Sequence, residues 1–187
     1  MKNLGIFKLV ALLLFVSCTA KITDSRCENN YLCREAVSRE IAGARIKKLT
    51  GSFYYPKLGF SIGFKYGSLN GIMSIITEED TIYFCRYKND KPQGIFINKI
   101  GFSENRQYAP LIHVQSAVQI RGSGSFDKNG KKQGKWNEFI GTCNNIGVFV
   151  DGKKTGKWFE DCFNDNGVYT SKRIVNYEKD SIINSHE

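Results

Sequence analysis

The feature that most constrains the fold is a phrase the chain carries twice. Lys128-Asn129-Gly130-Lys131-Lys132-Gln133-Gly134-Lys135-Trp136 is echoed by Asp151-Gly152-Lys153-Lys154-Thr155-Gly156-Lys157-Trp158, with Gly134 and Gly156 22 residues apart. Each copy is a turn-forming pair, two lysines, a polar residue, then Gly-Lys-Trp. A period of this length marks stacked supersecondary units, none of which can bury its apolar face alone.

Weaker copies precede these two. Lys91-Pro92-Gln93-Gly94-Ile95-Phe96 keeps the lysine, the glycine and the aromatic ring; Ser68-Leu69-Asn70-Gly71-Ile72-Met73 keeps the glycine and an apolar residue two later; Thr50-Gly51-Ser52-Phe53 keeps less. The marker glycines Gly51, Gly71, Gly94, Gly134 and Gly156 are spaced by 20, 23, 40 and 22. The interval of 40 predicts either a degenerate copy or an insertion across 100–125.

Asn129-Gly130 and Asp151-Gly152 suit the positive φ of a hairpin corner. Gly134 and Gly156 are expected to leave room for a neighbouring ring to cross the backbone. Trp136 and Trp158 then stack in one file, continued by Phe96 and Phe53. Gly94, Phe96, Gly134, Trp136, Gly156 and Trp158 are thus read as repeat-core positions; a ligand-stacking platform is the functional alternative.

The composition agrees with short strands and tight turns: 18 Gly against 3 Pro, with 9 Tyr and 13 Phe. Residues 29–48 are the exception. Leu32, Ala36, Val37, Ile41 and Ala44 approximate a helical stripe, with Arg34, Glu35, Arg39 and Glu40 opposite, which predicts one short helix covering an end of the sheet. Strands are expected at 50–55, 60–65, 72–77, 81–88, 95–99, 111–121, 135–141, 146–150, 157–162 and 168–177, and a frayed tail at 179–187. The expected class is mainly β, an elongated antiparallel sheet of stacked β-hairpin repeats over 49–178.

The phrase resembles the MORN repeat, in the variant form of the YwqK-type family, which reads approximately Asn-Gly-Lys-x-x-Gly-x-Trp. The match is best at 128–136 and 150–158, moderate at 87–96, and covers about half the chain. The resemblance implies rows of hairpins in one elongated sheet. Because the family carries an antitoxin label, it also raises an antitoxin or immunity-type protein as one function class.

The first 17 residues read as an export signal. Lys2 and Lys8 precede the apolar run Leu9 to Val16, which is too short to span a bilayer with comfort. Phe15-Val16-Ser17-Cys18 resembles a bacterial lipobox, with Phe15 where Leu is usual, so cleavage before Cys18 and lipidation of its thiol are expected. Residues 18–28 then form a lipidated tether to a membrane of the bacterial envelope, the outer membrane by preference. Cleavage after Ala20 is the alternative and leaves a secreted or periplasmic protein.

An exported chain meets an oxidising compartment, so disulfides are expected among Cys27, Cys33, Cys143 and Cys162, with Cys85 as a buried free thiol. Cys27 and Cys33 are close enough to clip the start of the fold. Cys143 and Cys162 can join neighbouring units, although their offsets from Gly134 and Gly156 differ. No C-x-x-C occurs, and His113 and His186 lie far from a cysteine pair, so no metal site is expected.

The net charge is +9, and its lysines are spread through the turns without a run of five, so nucleic acid is not expected. Lys131, Lys132, Lys135, Lys153, Lys154 and Lys157 form a second file, available to a protein partner or to anionic envelope material, or simply solvated. Gly152 to Lys157 is not a phosphate loop: three residues separate its glycines, and Trp158 stands where Ser or Thr must hold magnesium. His113 lacks a legible nucleophile or orienting acid, so neither catalysis nor a cofactor is expected. Two function classes remain: a non-enzymatic envelope lipoprotein whose repeat sheet is a protein-binding or structural scaffold, or an antitoxin-type protein that binds a toxin in the periplasm.

Overall fold

The computed structural model describes residues 31–101, 103–113 and 118–186. The expected signal segment, Cys18, the tether, Cys27 and the side chain of Cys33 lie outside the described residues. The remainder is mainly β: twelve antiparallel strands form one open sheet. In chain order they are β1 (Gly51–Tyr55), β2 (Phe60–Lys65), β3 (Ser68–Leu69), β4 (Gly71–Ile76), β5 (Thr81–Lys88), β6 (Lys91–Asn98), β7 (Arg121–Phe126), β8 (Lys132–Ile140), β9 (Cys143–Val150), β10 (Lys153–Phe163), β11 (Tyr169–Glu178) and β12 (Ser181–His186). Neighbours in sequence are neighbours in the sheet, and β3 pairs with β2 off the main path.

The marker glycines act through backbone angle. Gly94, Gly134 and Gly156 have φ of +68°, +72° and +69°, and a Cβ on any of them meets nothing within 4 Å. Each opens a bulge. On β8, Gln133 and Asn137 face Ser125 and Ser123, so four steps of one strand oppose two of the other. On β10, Thr155 and Phe159 face Val148 and Ile146 in the same way. On β6, Gln93 and Phe96 face the adjacent residues Arg86 and Cys85. Only glycine takes this conformation without strain.

The rings cross other glycines. A Cβ on Gly124 would lie 2.2 Å from the Trp136 ring, and one on Gly147 would lie 2.2 Å from the Trp158 ring. The expected role of Gly134 and Gly156 as ring sockets is therefore corrected. They turn the strand, and the glycine of the preceding strand receives the ring. The smaller Phe96 faces Cys85 instead. Gly51 fits neither role, because β1 pairs with β2 without a bulge.

The resulting file is interleaved. Phe96 stacks on Trp136 at 5.6 Å between centroids, Phe149 stands edge-on between Trp136 (5.9 Å) and Trp158 (5.0 Å), and Tyr177 follows at 6.1 Å. The two tryptophans are thus bridged by a ring from the return strand. Among the described residues Phe53 stands apart from this file and packs edge-on to Phe64 at 6.1 Å. Each such pair contributes about 0.5–1.5 kcal/mol beyond the area buried.

Turns link the units. Asn89-Asp90, Asp151-Gly152 and Lys179-Asp180 have both central residues at positive φ. Asp180 donates its N–H to the Lys154 carbonyl at 3.0 Å, and its Oδ1 accepts from the Lys154 N–H at 2.7 Å. Asp90 clasps Leu69 in the same reciprocal way. The Asn129-Gly130 corner differs from expectation: only Gly130 has positive φ, and Asp127 Oδ1 closes a longer loop by accepting from the N–H groups of Asn129 and Lys131 at 2.8 Å each.

The long interval between markers is an insertion. Residues between β6 and β7 include a 3-10 turn (Ser103–Tyr108) and the short helix α2 (Ala109–His113), while β7 pairs directly with β6 on one side and β8 on the other. The strand expected from 111 to 121 is therefore corrected. Pro110 suits the start of a helix, and Leu111 and Ile112 are buried there, with His113 exposed. Gly122 to Ser125 belong to β7.

Helix α1 (Tyr31–Ile46) lies where the periodicity placed it, but its face is rotated. Arg34, Val37, Ser38, Ile41 and Ala44 are buried, whereas Ala36 is exposed. Arg34 sits 4.8 Å over the Tyr108 ring, a cation–π contact. Val37, Ile41, Ala44, Leu111 and Ile112 share one core with the strands. The tail expected to fray forms β12, paired with β11 from Glu178↔Ser181 to Ile174↔His186.

Cys143 and Cys162 face each other across β9 and β10, with Cα atoms 4.0 Å apart, and form a disulfide. Their unequal offsets arise because one lies on a return strand and the other on a bulged outgoing strand.

Two predictions follow from the packing. Gly147→Ala should destabilise by about 3 kcal/mol through overpacking, whereas Gly134→Asn, which can adopt positive φ, should cost about 1 kcal/mol; denaturant titration separates them. Replacing both Cys143 and Cys162 by Ser should lower unfolding free energy by about 3 kcal/mol, read from the shift in urea midpoint at constant slope.

Candidate functional site

Lys153 and Lys154 are adjacent residues of β10, which point to opposite faces, and Lys131 directly precedes Lys132, the first residue of β8. Lys132 and Lys154 turn toward the aromatic file. Lys132 Nζ lies 4.9 Å from the Trp136 centroid and 4.5 Å from that of Phe149; Lys154 Nζ lies 4.2 Å from Trp158 and 5.2 Å from Tyr177. Both pair with Glu138, Lys132 in a direct hydrogen bond to Oε2 and Lys154 at 3.5 Å from Oε1. These two lysines are engaged inside the fold.

Lys131, Lys135, Lys153 and Lys157 are exposed. The stem of Lys131 lies against the Gly152 backbone. Lys135 and Lys157 occupy the middle of their bulges, on the face opposite the tryptophans. Lys157 Nζ is 5.6 Å from the Phe159 ring.

Sequence reasoning missed two buried acids, Glu138, which holds both inward lysines, and Glu160, which holds Arg173. Glu138 is 2% exposed and Glu160 7%. Each stands two residues after a repeat tryptophan, so extending the phrase by two residues would have found them. Glu138 and Glu160 both face the buried Asn145 on β9, and Glu160 continues to Arg173 on β11. Arg173 Nη2 donates to Glu160 Oε2 at 2.8 Å, and Tyr177 Oη lies 3.4 Å from Glu160 Oε1. Burial, followed by the Glu160 charge, pushes the Tyr177 hydroxyl above its ordinary pKa.

The open face of β8–β10 carries apolar side chains. Ile146 (41% exposed), Val148 (37%) and Phe159 (38%) lie on it, with Val150 further along β9. Register places Val148 between Lys135 and Thr155, and Ile146 between Asn137 and Phe159. The strip is therefore apolar at its centre and bordered by Lys135 and Lys157. Such a rimmed patch is the surface composition of an interaction site.

Cys85 is free and buried, and burial pushes its thiol up to about 12, which keeps it protonated and inert. Asp80, in the acidic turn, pairs with Lys99 at 2.5 Å, which holds its carboxyl below the ordinary aspartate value. Among the described residues, no group of three His, Cys, Asp or Glu is placed to hold a metal ion. A scan against protein-family models and a search of curated proteins both find no match for the chain.

The division of the lysines has a measurable consequence. Lys132→Ala or Lys154→Ala should each cost about 3 kcal/mol by leaving Glu138 under-compensated in a buried position. Lys131→Ala, Lys135→Ala, Lys153→Ala and Lys157→Ala should each stay within about 0.5 kcal/mol of the parent. Thermal or urea unfolding of the six single variants checks this split.

Proposed function

We propose that the chain is a non-enzymatic repeat scaffold of the bacterial envelope that binds a protein partner through the open face of β8–β10. The observation that carries this reading is the exposed strip of Ile146, Val148 and Phe159 bordered by Lys135 and Lys157. The strip lies on a sheet whose other face is committed to the aromatic core, and the Cys143–Cys162 disulfide ties its two strands together. A pre-organised surface loses little conformational freedom on binding. The lysine rim favours a partner with an acidic border.

In this reading the units are of MORN type, an assignment supported by the common bulge at Gly94, Gly134 and Gly156. The scaffold is held at the membrane by lipid on Cys18, a reading supported by the basic start, the apolar run and the Ser17-Cys18 junction. More than one acyl chain makes such anchoring stable.

A photocrosslinking residue placed at Val148 or Phe159 in living cells should capture one discrete protein, and the same residue at the exposed Lys57 should not. Equal capture at all three positions, or none at any, would contradict the interface. Cys18→Ala should release the protein from the membrane fraction; unchanged association would contradict the anchor.

A further inference from the structure

A second feature lies at the other end of the sheet and belongs to a different chemistry. Between β2 and β5 the open face is interrupted by a cleft of about 690 Å³. Its origin is the first repeat bulge. β2 pairs with β4 at Phe60↔Ile75 and Ser61↔Ser74, then with β3 at Phe64↔Leu69 and Lys65↔Ser68. Five steps of β3–β4 thus oppose three of β2, and the two extra residues, Gly71 and Ile72, line the cleft.

Three cations border it. Lys65 comes from β2, and Arg86 and Lys88 come from β5, two residues apart on one face of the strand. β3–β4 lies between, so the two sides are about 10 Å apart by strand spacing. None of the described residues lining the cleft is acidic. Among the described residues Lys65, Arg86 and Lys88 have no carboxylate at ion-pair distance, in contrast to Lys132, Lys154, Lys99 and Arg45. The rest of the lining is rich in neutral hydrogen-bonding groups, among them Ser52, Asn70 and Gln93.

Like charges gathered around a concavity without a carboxylate repel one another, and an anion between them removes that repulsion. An arginine flanked by lysines offers the forked and point-charge donors that phosphate oxygens accept. The volume exceeds what a bare phosphate fills and falls within the range of small-molecule sites. The hydroxyl and amide groups suit the hydroxyls of a polyol.

We propose that this cleft binds a phosphorylated polyol, with the phosphate held by Lys65, Arg86 and Lys88 and the polyol by the neutral groups. The same chemistry occurs as a free sugar phosphate and as the headgroup of an anionic lipid. The site is separate from the strip on β8–β10 and stands or falls independently of it.

The test uses the full chain in detergent, titrated calorimetrically with glucose 6-phosphate, and in parallel floated with vesicles of phosphatidylcholine with and without phosphatidylglycerol. Saturable binding in the first arm assigns a soluble ligand; binding that requires phosphatidylglycerol in the second assigns a headgroup. In whichever arm binds, Arg86→Gln and Lys65→Gln should each weaken it by about tenfold, while Lys153→Gln and Lys172→Gln, at exposed positions away from the cleft, should leave it unchanged. Circular dichroism should show the same melting temperature for all four variants. Absence of binding in both arms, or equal weakening by Lys172→Gln and Arg86→Gln, overturns the proposal.

Discussion

The structure depends on a ring laid over a backbone that has no Cβ. Trp136 covers Gly124, and Trp158 covers Gly147. A tryptophan can reach the preceding strand in this way because the glycine two residues before it puts a bulge into its own strand. One glycine sets the angle and another provides the space. The phrase Gly-x-aromatic is thus half of a device whose other half sits on the neighbouring strand. Repetition of the device joins successive hairpins into one file of rings, and that file is the core where helices contribute no cover.

The ion pairs are subordinate to this geometry. With Trp136 and Trp158 flat against the sheet, the lysine four residues earlier lies above each ring, and the glutamate two residues later lies beside it. Glu138 receives the lysine of its own unit and the lysine of the next. The pairing therefore fixes the order of units as well as their contact. The reciprocal clasps of Asp90 and Asp180 act between units in the same sense at the turns. What remains for partners is the face turned away from the rings.

Much of this was legible in the sequence where a local pattern forces a local outcome. β1, β2, β4, β5 and β11 follow alternation and turn chemistry closely, and the helix over 29–48 announces itself by its stripe; β3 is unexpected, and β6, β8, β9 and β10 begin earlier than alternation marks them, because polar residues read as turn continue the ladder. Three of the readings that failed are the most instructive. Gly134 and Gly156 were assigned the role of Gly124 and Gly147, because a repeat shows which residues recur but not which strand lies beside them. Leu111 and Ile112 look the same in a buried helix and a buried strand, and Pro110 was the overlooked discriminator. Arg34 was placed on the solvent side because charge is a poor guide where an aromatic ring, here Tyr108, supplies a contact. The acids at 138 and 160, and the basic cleft, arise from neighbours distant in the chain, and only the spacing of Glu138 and Glu160 after tryptophan left a trace.

A double-mutant cycle between Gly147 and Trp158 tests the central claim most directly. If the ring occupies the space a Cβ would need, the penalty of Gly147→Ala should nearly vanish in a Trp158→Ala background. The coupling energy from urea unfolding should then be about 3 kcal/mol in the direction of relief. Additive penalties, with the alanine at 147 equally costly whether or not the indole is present, would contradict the account.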